Sequence, residues 1–477
     1  MVTIRTRTGE LRSLPGSAIS ALAAALHGRL IQPADAGYDA ARQVWNATID
    51  RRPALIARCH DAADVVAAVK FASGHSLLVS VRGGGHNIAG SALCDGGLTI
   101  DLSAMRGIRV DVAQRRAWVQ GGALLGEVDH ETQAYGLAVP LGINSTTGVG
   151  GLALGGGFGW LSRAFGHTVD NVVSADVVTA AGDLVRASAS ENTDLYWAIR
   201  GGSGNFGVVT AFEFRLHPVG PSILSGPVVH ALDDAPAVLR RYRQVARELP
   251  DEATCWFVLR KAPPLPFLNA EHHGAPVLIL AMAYAGAIEQ GEAALRPLRE
   301  IGTPLADAVS PHPYAGWQAA FDPLLAPGAR NYWKSNDFCN LEDEVLDLMV
   351  AATRELPTNE CEIFVAQLGG AAGRVAPDAT AYAHRQTRYT MNIHGRWQTP
   401  TDDEKVIAWV RDVYARSAPL STGTVYVNFV PEAGEVRTVG PFGANEARLR
   451  RIKSELDPSN IFRANVPIEP LRTGALA

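Results

Sequence analysis

Glycine placement is the feature that most constrains this sequence. Of its 47 glycines, 25 lie between Gly83 and Gly207, about half of them in about a quarter of the 477-residue length. Glycine loses more backbone freedom on folding than any other residue. A chain that concentrates it therefore needs backbone that turns sharply or approaches something closely. Three segments carry it: Arg82-Gly-Gly-Gly-His86-Asn87, GINSTTGVGGLALGGGFGWLSRAFG over 142–166, and GGSGNFG over 201–207. Loops of this kind present backbone N–H groups and admit phosphates.

The surroundings are regular. Residues 61–73 place apolar side chains at helical spacing behind an Asp, which suits a helix N-terminus. Residues 77–81, 98–102 and 116–120 read as strands, and 125–135 as a short helix. VVTAFEFRL, after Gly207, alternates apolar and polar and predicts a strand with one buried face. This alternation of helix and strand favours an α+β or α/β layout. From about Pro218 glycine thins out. Helices are expected over 234–249, 289–301, 343–356 and 445–455, a central strand over 277–284, and a strand at TVYVNFV, 424–430. A boundary falls after 215–218, with the tail able to return to the first part.

Several classes are excluded. Hydrophobic residues are 47% and charged residues 19%, unlike a disordered chain. The net charge of −5 disfavours a nucleic-acid partner. Cys59, Cys94, Cys255, Cys339 and Cys361 form no CxxC pair, so neither a zinc site nor a disulfide framework is expected. No run approaches ~18 apolar residues, and the N-terminus lacks an apolar signal core, so a cytoplasmic protein without a membrane span is the expectation. No oligomer is indicated. Gly148-Val-Gly150-Gly-Leu-Ala153 and Gly202-Ser-Gly204-Asn-Phe-Gly207 match the dinucleotide pattern, but neither has the strand-before, helix-after context that gives it meaning. No Walker A loop exists. Ser203 is not in a GxSxG elbow, and His130-Glu131 does not continue to HExxH. Glu271-His272-His273 reads as a solvated loop, and no metal is expected.

Six motifs occur in order: Val81-Arg-Gly-Gly-Gly-His86-Asn87, Gly155-Gly-Gly-Phe-Gly-Trp-Leu161, Asp170-Asn171, Gly204-Asn-Phe-Gly-Val-Val209, Tyr426-Val-Asn-Phe429 and Asp457-Pro-Ser-Asn-Ile-Phe-Arg463. Their order and spacing, from about residue 45 to 468, resemble the berberine-bridge-enzyme-like flavoprotein oxidases of the vanillyl-alcohol-oxidase and p-cresol-methylhydroxylase superfamily, bacterial type. The resemblance implies an α+β fold with a two-part FAD-binding domain, residues 1–218 and 420–477. Between them, 219–419 would form a substrate domain whose antiparallel sheet is backed by helices.

It also implies roles. His86 would bond covalently to the flavin 8α carbon, chemistry that needs the neutral imidazole available near pH 7. Arg82, Gly83, Gly84, Gly85 and Asn87 would form the pyrophosphate loop. Asn144 stands where doubly linked relatives carry cysteine, so a single link is expected, and Cys94 would be a buried bystander. Thr147 occupies a position that affects oxygen access in relatives; its hydroxyl could bond the flavin or an oxygen species, or could cap the loop. Gly148, Gly150, Gly151, Gly155, Gly156 and Gly157 would line the diphosphate and isoalloxazine. Asp170, Asn171, Gly204, Asn205, Gly207 and Val209 would surround the isoalloxazine edge, ribose and adenine, and Asn465 would add a contact from the tail. Many relatives carry Tyr-x-Asn-Tyr with a base at the last position, and here Phe429 cannot move a proton. On a regular strand Tyr426 and Asn428 would share one face and Phe429 the other. Catalytic candidates are then Tyr426, Asn428, Thr147 and Gln367, the last on a strand that faces the flavin in relatives. Tyr332, Lys334, His384 and His394 are further polar candidates. The implied activity is oxidation of an alcohol, amine or phenolic or benzylic small molecule, with O2 reoxidising the flavin to H2O2, in secondary metabolism. A dehydrogenase passing electrons elsewhere, or a scaffold without activity, are the alternatives.

Overall fold

The computed structural model describes residues 1–431, 439–463 and 466–471. Near the N-terminus, strands Leu55–Arg58, Leu98–Asp101 and Val79–Arg82 run parallel, with Arg29–Ile31 antiparallel at one edge. Helix Ala62–Gly74 is the crossover. Asp61 starts it by accepting a hydrogen bond from Asp64 N at 3.0 Å, which satisfies one of the orphan donors of a first turn. Leu55, Leu98, Ile100, Val65 and Val69 are fully buried together, as expected of a parallel sheet under helices.

A second sheet is antiparallel, in the order Leu184–Ser188, Val172–Val178, Val208–Arg215, Arg116–Gln120, Ile108–Asp111. Its central strand, Val208–Arg215, is buried on both faces rather than one. The alternation is real, but the polar face is also covered. Glu213 is buried there because Ser174 Oγ donates to it at 2.6 Å and Arg186 Nη2 at 2.9 Å.

The middle of the chain forms an eight-stranded antiparallel sheet. Its path runs Ala306–Asp307, Ser222–Ala231, Pro276–Tyr284, Ala253–Lys261, Glu362–Gln367, Tyr389–Trp397, Arg330–Phe338, with Ser310–Pro313 also paired to Ser222–Ala231. Helices Ala235–Glu248, Ile288–Arg299, Asp343–Arg354 and Asp403–Ser417 cover one face, burying Tyr242, Phe257, Met349, Val410 and their neighbours. Each such side chain contributes roughly 1.5–3 kcal/mol of burial. The opposite face is left for the cleft described below.

The tail packs back onto the first half. Helix Glu446–Leu456 places Leu449 and Ile452 in one core with Trp197 and Phe206, and Ile461 and Phe462 join the N-terminal sheet. A buried ion pair fixes this return. Lys453 Nζ donates to Asp457 Oδ2 at 2.6 Å, to Phe462 O at 2.7 Å and to Asn205 O at 2.8 Å, while Asp457 accepts from Ile461 N and Phe462 N. With these hydrogen bonds the desolvated pair is satisfied on both sides. The segment 424–430 is not a strand. Val427–Phe429 is a single 3-10 turn. Among the described residues no helix is long and apolar enough to cross a membrane.

Helix Leu125–Gln133 of the first half meets helix Tyr314–Gln318 of the middle segment at one buried carboxyl. Asp129 accepts from Gln318 Nε2 at 3.2 Å, its Oδ1 has no partner, and burial pushes its pKa up to about 7. The unfolded chain titrates this group near 4. Between those values the folded state holds a proton that the unfolded state has lost, so stability falls as pH rises from about 4 to about 7 and then levels off. Asp129→Asn keeps the acceptor without the charge. It is expected to match the wild type near pH 4 and to exceed it by about 2–4 kcal/mol at pH 8 in denaturant unfolding. A gap independent of pH would overturn this.

Candidate functional site

Strand Val79–Arg82 ends in the first glycine run, and helix Val149–Leu154 begins at Gly148. The two loops cross in backbone contact. A Cβ at Gly84 would collide with Gly148 N, and one at Gly148 would collide with Gly84 N. Gly150 likewise lies against Gly121 O, and Gly121 against Val209 O. Glycine here admits other backbone, which no residue with a side chain could do. Around this crossing opens a long cleft. Gly83, Gly84, Gly85, His86, Asn87, Asn144, Thr147, Gly148, Gly150, Gly151, Gly204, Gly207 and Val209 all line it. Arg82 does not; its guanidinium turns away to donate to Ala41 O.

Two residues beyond Gly84 stands His86, and two residues before Gly148 stands Thr146. The crossing therefore brings His86 Nε2 within 2.8 Å of Thr146 Oγ1. Thr146 Oγ1 donates to Asn144 Oδ1 at 2.7 Å, and that oxygen also takes Thr146 N at 3.0 Å. The hydroxyl hydrogen is thus committed, and Thr146 can only accept from His86. Nε2 carries the hydrogen and Nδ1 keeps its lone pair. Trp45 stacks on the imidazole, ring centroids 5.1 Å apart at 20°. Desolvation lowers the His86 pKa to about 4, so the ring is neutral at physiological pH.

The 3-10 turn changes the reading of the 426–429 motif. Three residues per turn bring Tyr426 and Phe429 to one side, with ring centroids 5.0 Å apart, and both line the cleft with Asn428. Tyr426 Oη accepts from Gly157 N at 3.0 Å and from Asn428 Nδ2 at 2.8 Å. Burial pushes its pKa up to about 12, so at neutral pH it keeps its hydrogen and is not a base. Gly155, Gly156 and Gly157 do not line the cleft. A Cβ at Gly155 would strike the Asn428 amide, one at Gly156 the Tyr382 ring, and one at Gly157 the Thr168 side chain. These glycines seat the 426–429 turn.

The cleft continues over the open face of the eight-stranded sheet. Alternate residues face it: Trp256, Val258 and Arg260; Glu362 and Phe364; Asn392 and His394; and Trp333. The same alternation corrects the reading of Gln367. Glu362 and Phe364 point to the cleft, so Gln367 points to the helices. There it accepts from Cys255 N at 3.0 Å and donates to Ala246 O at 2.9 Å. Of the other polar candidates only His394 lines the cleft; Tyr332, Lys334 and His384 do not.

Asp170, Asn171 and Asn205 also serve the scaffold. Asp170 pairs with the buried Arg385 at 2.8 Å. Asn171 Nδ2 donates to Phe165 O and His167 O. Asn205 Nδ2 donates to Gly202 O and Val466 O, tying the tail down. Cys94 is buried, its thiol pKa raised by desolvation. Asn465 lies outside the described residues. Trp45, Thr146, Arg260, Glu362 and Asn392 escaped sequence reasoning. Strand parity alone could have paired Glu362 with Phe364, and Asn392 with His394, on one face.

Both glycine loops of the crossing and the 426–429 turn fall in segments that match family models. An FAD binding domain model matches residues 53–188, and a berberine and berberine like model matches residues 425–469. An FAD-linked oxidoreductase of Dictyostelium discoideum is 31% identical over 90% of this chain and 91% of its own. The (R)-6-hydroxynicotine oxidase of Paenarthrobacter nicotinovorans is 29% identical over 93% and 97%. The crystal structure of 6-hydroxy-D-nicotine oxidase from Arthrobacter nicotinovorans superposes with a TM-score of 0.84 at 27% identity, covering 94% of this chain and 98% of that one. This chain belongs to the berberine-bridge-like family of FAD-linked oxidoreductases.

Proposed function

We propose that this protein is an oxidase that holds FAD covalently through His86, oxidises a small molecule over the sheet face of the cleft, and uses dioxygen as the electron acceptor. The observation that carries this is the neutral imidazole at the loop crossing, its Nε2–H committed to Thr146 and its Nδ1 lone pair uncommitted. The cleft residues fit the cofactor. Gly151 has nothing within 4 Å of where a Cβ would stand, so a side chain there would fill the cleft. Arg260 and Arg463 are the lysine or arginine side chains lining it among the described residues, and Arg260 is paired with Glu362. A diphosphate would therefore be met mainly by backbone N–H groups of the glycine loops. Bound there, FAD supplies a two-electron sink whose electrons return to dioxygen as hydrogen peroxide.

The chain's own residues do the rest. His86 holds the cofactor through Nδ1, and Thr146 keeps that nitrogen unprotonated. Tyr426 presents a donor from the 3-10 turn, and Asn428 orients it, its amide hydrogens going to Tyr426 Oη and Leu152 O. Trp256, Trp333, Phe364 and Phe429 exclude water from the substrate side, which strengthens every polar contact there.

Acid-precipitated wild-type protein is expected to stay yellow, and His86→Ala to release its flavin or bind none. Thr146→Val removes the acceptor that selects the tautomer. It is expected to lower the covalent fraction several-fold, read as flavin fluorescence on a denaturing gel, while FAD is still bound. A colourless wild-type pellet with all FAD in the supernatant defeats the covalent assignment. After dithionite reduction, rapid return of the oxidised spectrum in air, with peroxide released, marks an oxidase; slow return marks a dehydrogenase. Gly148→Ala forces the two loops apart. Backbone overlap of that kind costs about 1–3 kcal/mol, and FAD content is expected to fall with it. Normal flavin content in this variant would count against the crossing as the organising contact.

A further inference from the structure

We propose that Glu362, His394 and Asn392 are the polar anchor for the substrate, and that the substrate is an uncharged aromatic compound held through a hydroxyl group. This rests on the reading of the cleft as a flavin site.

The three side chains stand on neighbouring strands and face the cleft; Glu362 is directly opposite His394 in the register, and Asn392 is opposite Phe364. Glu362 Oε2 accepts from Arg260 Nη1 at 2.6 Å. Its other oxygen lies 3.7 Å from His394 Nδ1. That is too long for a hydrogen bond. The histidine tautomer is fixed from behind. His394 Nε2 is 2.9 Å from Asn331 Oδ1, an oxygen that also accepts from Arg396 Nη1. Nε2 therefore carries the hydrogen, and Nδ1 shows a lone pair. Desolvation keeps the imidazole below its ordinary pKa even with Glu362 beside it, so it is neutral. Burial would raise the Glu362 carboxyl, but the Arg260 guanidinium bonded to it holds it below its usual range. Two acceptors thus face one another with no hydrogen between them. Such a pair calls for a donor from outside the protein.

Asn392 makes the same point independently. It is 1% exposed, and neither of its amide atoms has a hydrogen-bond partner. An unmet buried amide is costly unless a ligand meets it. It lies two residues along the strand from His394, placed for a second polar substituent on the same ring. Between the polar groups the walls are Trp256, Trp333, Phe364 and Phe429. These suit a flat ring by stacking and edge contacts.

Charge selects a hydroxyl over an ammonium. Arg260 already neutralises Glu362, so a cationic substrate would add an unbalanced charge beside a guanidinium in a desolvated pocket. Number selects an aromatic over a sugar, whose many hydroxyls would find aromatic rings in place of partners.

The test uses the yellow holoenzyme and five probes, phenol, anisole, benzylamine, D-glucose and 4-hydroxybenzyl alcohol, read by perturbation of the flavin absorption spectrum. Phenol is expected to bind at least tenfold more tightly than anisole, and more tightly than benzylamine or glucose. Glu362→Gln should shrink the phenol–anisole gap below threefold. Because Glu362→Gln strands Arg260 and costs folding stability, the wild-type comparison stands alone, and Asn392→Leu should weaken 4-hydroxybenzyl alcohol more than phenol. Equal binding of phenol and anisole, preference for benzylamine or glucose, or no phenol binding at millimolar concentration overturns the anchor. Colourless protein overturns the flavin reading instead.

Discussion

Two backbones touch at Gly84 and Gly148, and the rest of the site depends on that contact. It sets a register. Counting two residues out along each loop reaches His86 and Thr146, which is why their side chains meet at 2.8 Å. Any side chain at the crossing would separate the loops by more than a hydrogen bond tolerates, and the imidazole would lose the group that chooses its tautomer. The loops are also held from outside. Trp45 N donates to Gly85 O at 3.1 Å, and Ser145 N donates to Asp322 Oδ1 at 2.9 Å. The glycine-rich half and the sheet-rich half thereby share responsibility for the position of one histidine.

The tail contributes through a different device. Its return relies on charge buried without solvent, Lys453 with Asp457, made tolerable by backbone donors and acceptors on both partners. Losing either partner would leave the other buried and unpaired, a change of several kcal/mol. The 426–429 turn is seated by glycine again, with Gly155 leaving room for the Asn428 amide and Gly157 N donating to Tyr426. Segments far apart in sequence are thus joined by absence of side chains at the cleft and by satisfied charge away from it.

Local features were legible in the sequence. The helix at Ala62–Gly74, the strands at Leu98–Asp101 and Arg116–Gln120 and the helix at Asp343–Arg354 follow from periodicity within two or three residues. Glycine density pointed to the cleft loops. What was not legible is non-local. Asp170 reads as a cofactor neighbour until Arg385, 215 residues away, is seen to bind it. Gln367 reads as catalytic until the strand's parity is fixed by its neighbours in the sheet. The stretch 424–430 has strand-forming residues, yet Tyr426 is pulled onto Gly157 and the chain turns. Thr146 carries no signal of its own, because its role comes from a loop 60 residues earlier.

The two histidines of the cleft show one physical idea used twice. His86 and His394 are both desolvated to neutrality, and each has Nε2 committed to a fixed oxygen, Thr146 Oγ1 in one case and Asn331 Oδ1 in the other. In each, that commitment aims Nδ1 outward as a lone pair. Trp45 stands between them, 5.1 Å from one ring and 6.3 Å from the other. A protonated ring at either place would have no lone pair on Nδ1 and would bring positive charge into an aromatic enclosure. Burial therefore does more than stabilise the fold here. It holds both rings in the one protonation state in which Nδ1 can receive something, and the hydrogen bond behind each ring decides where that nitrogen points.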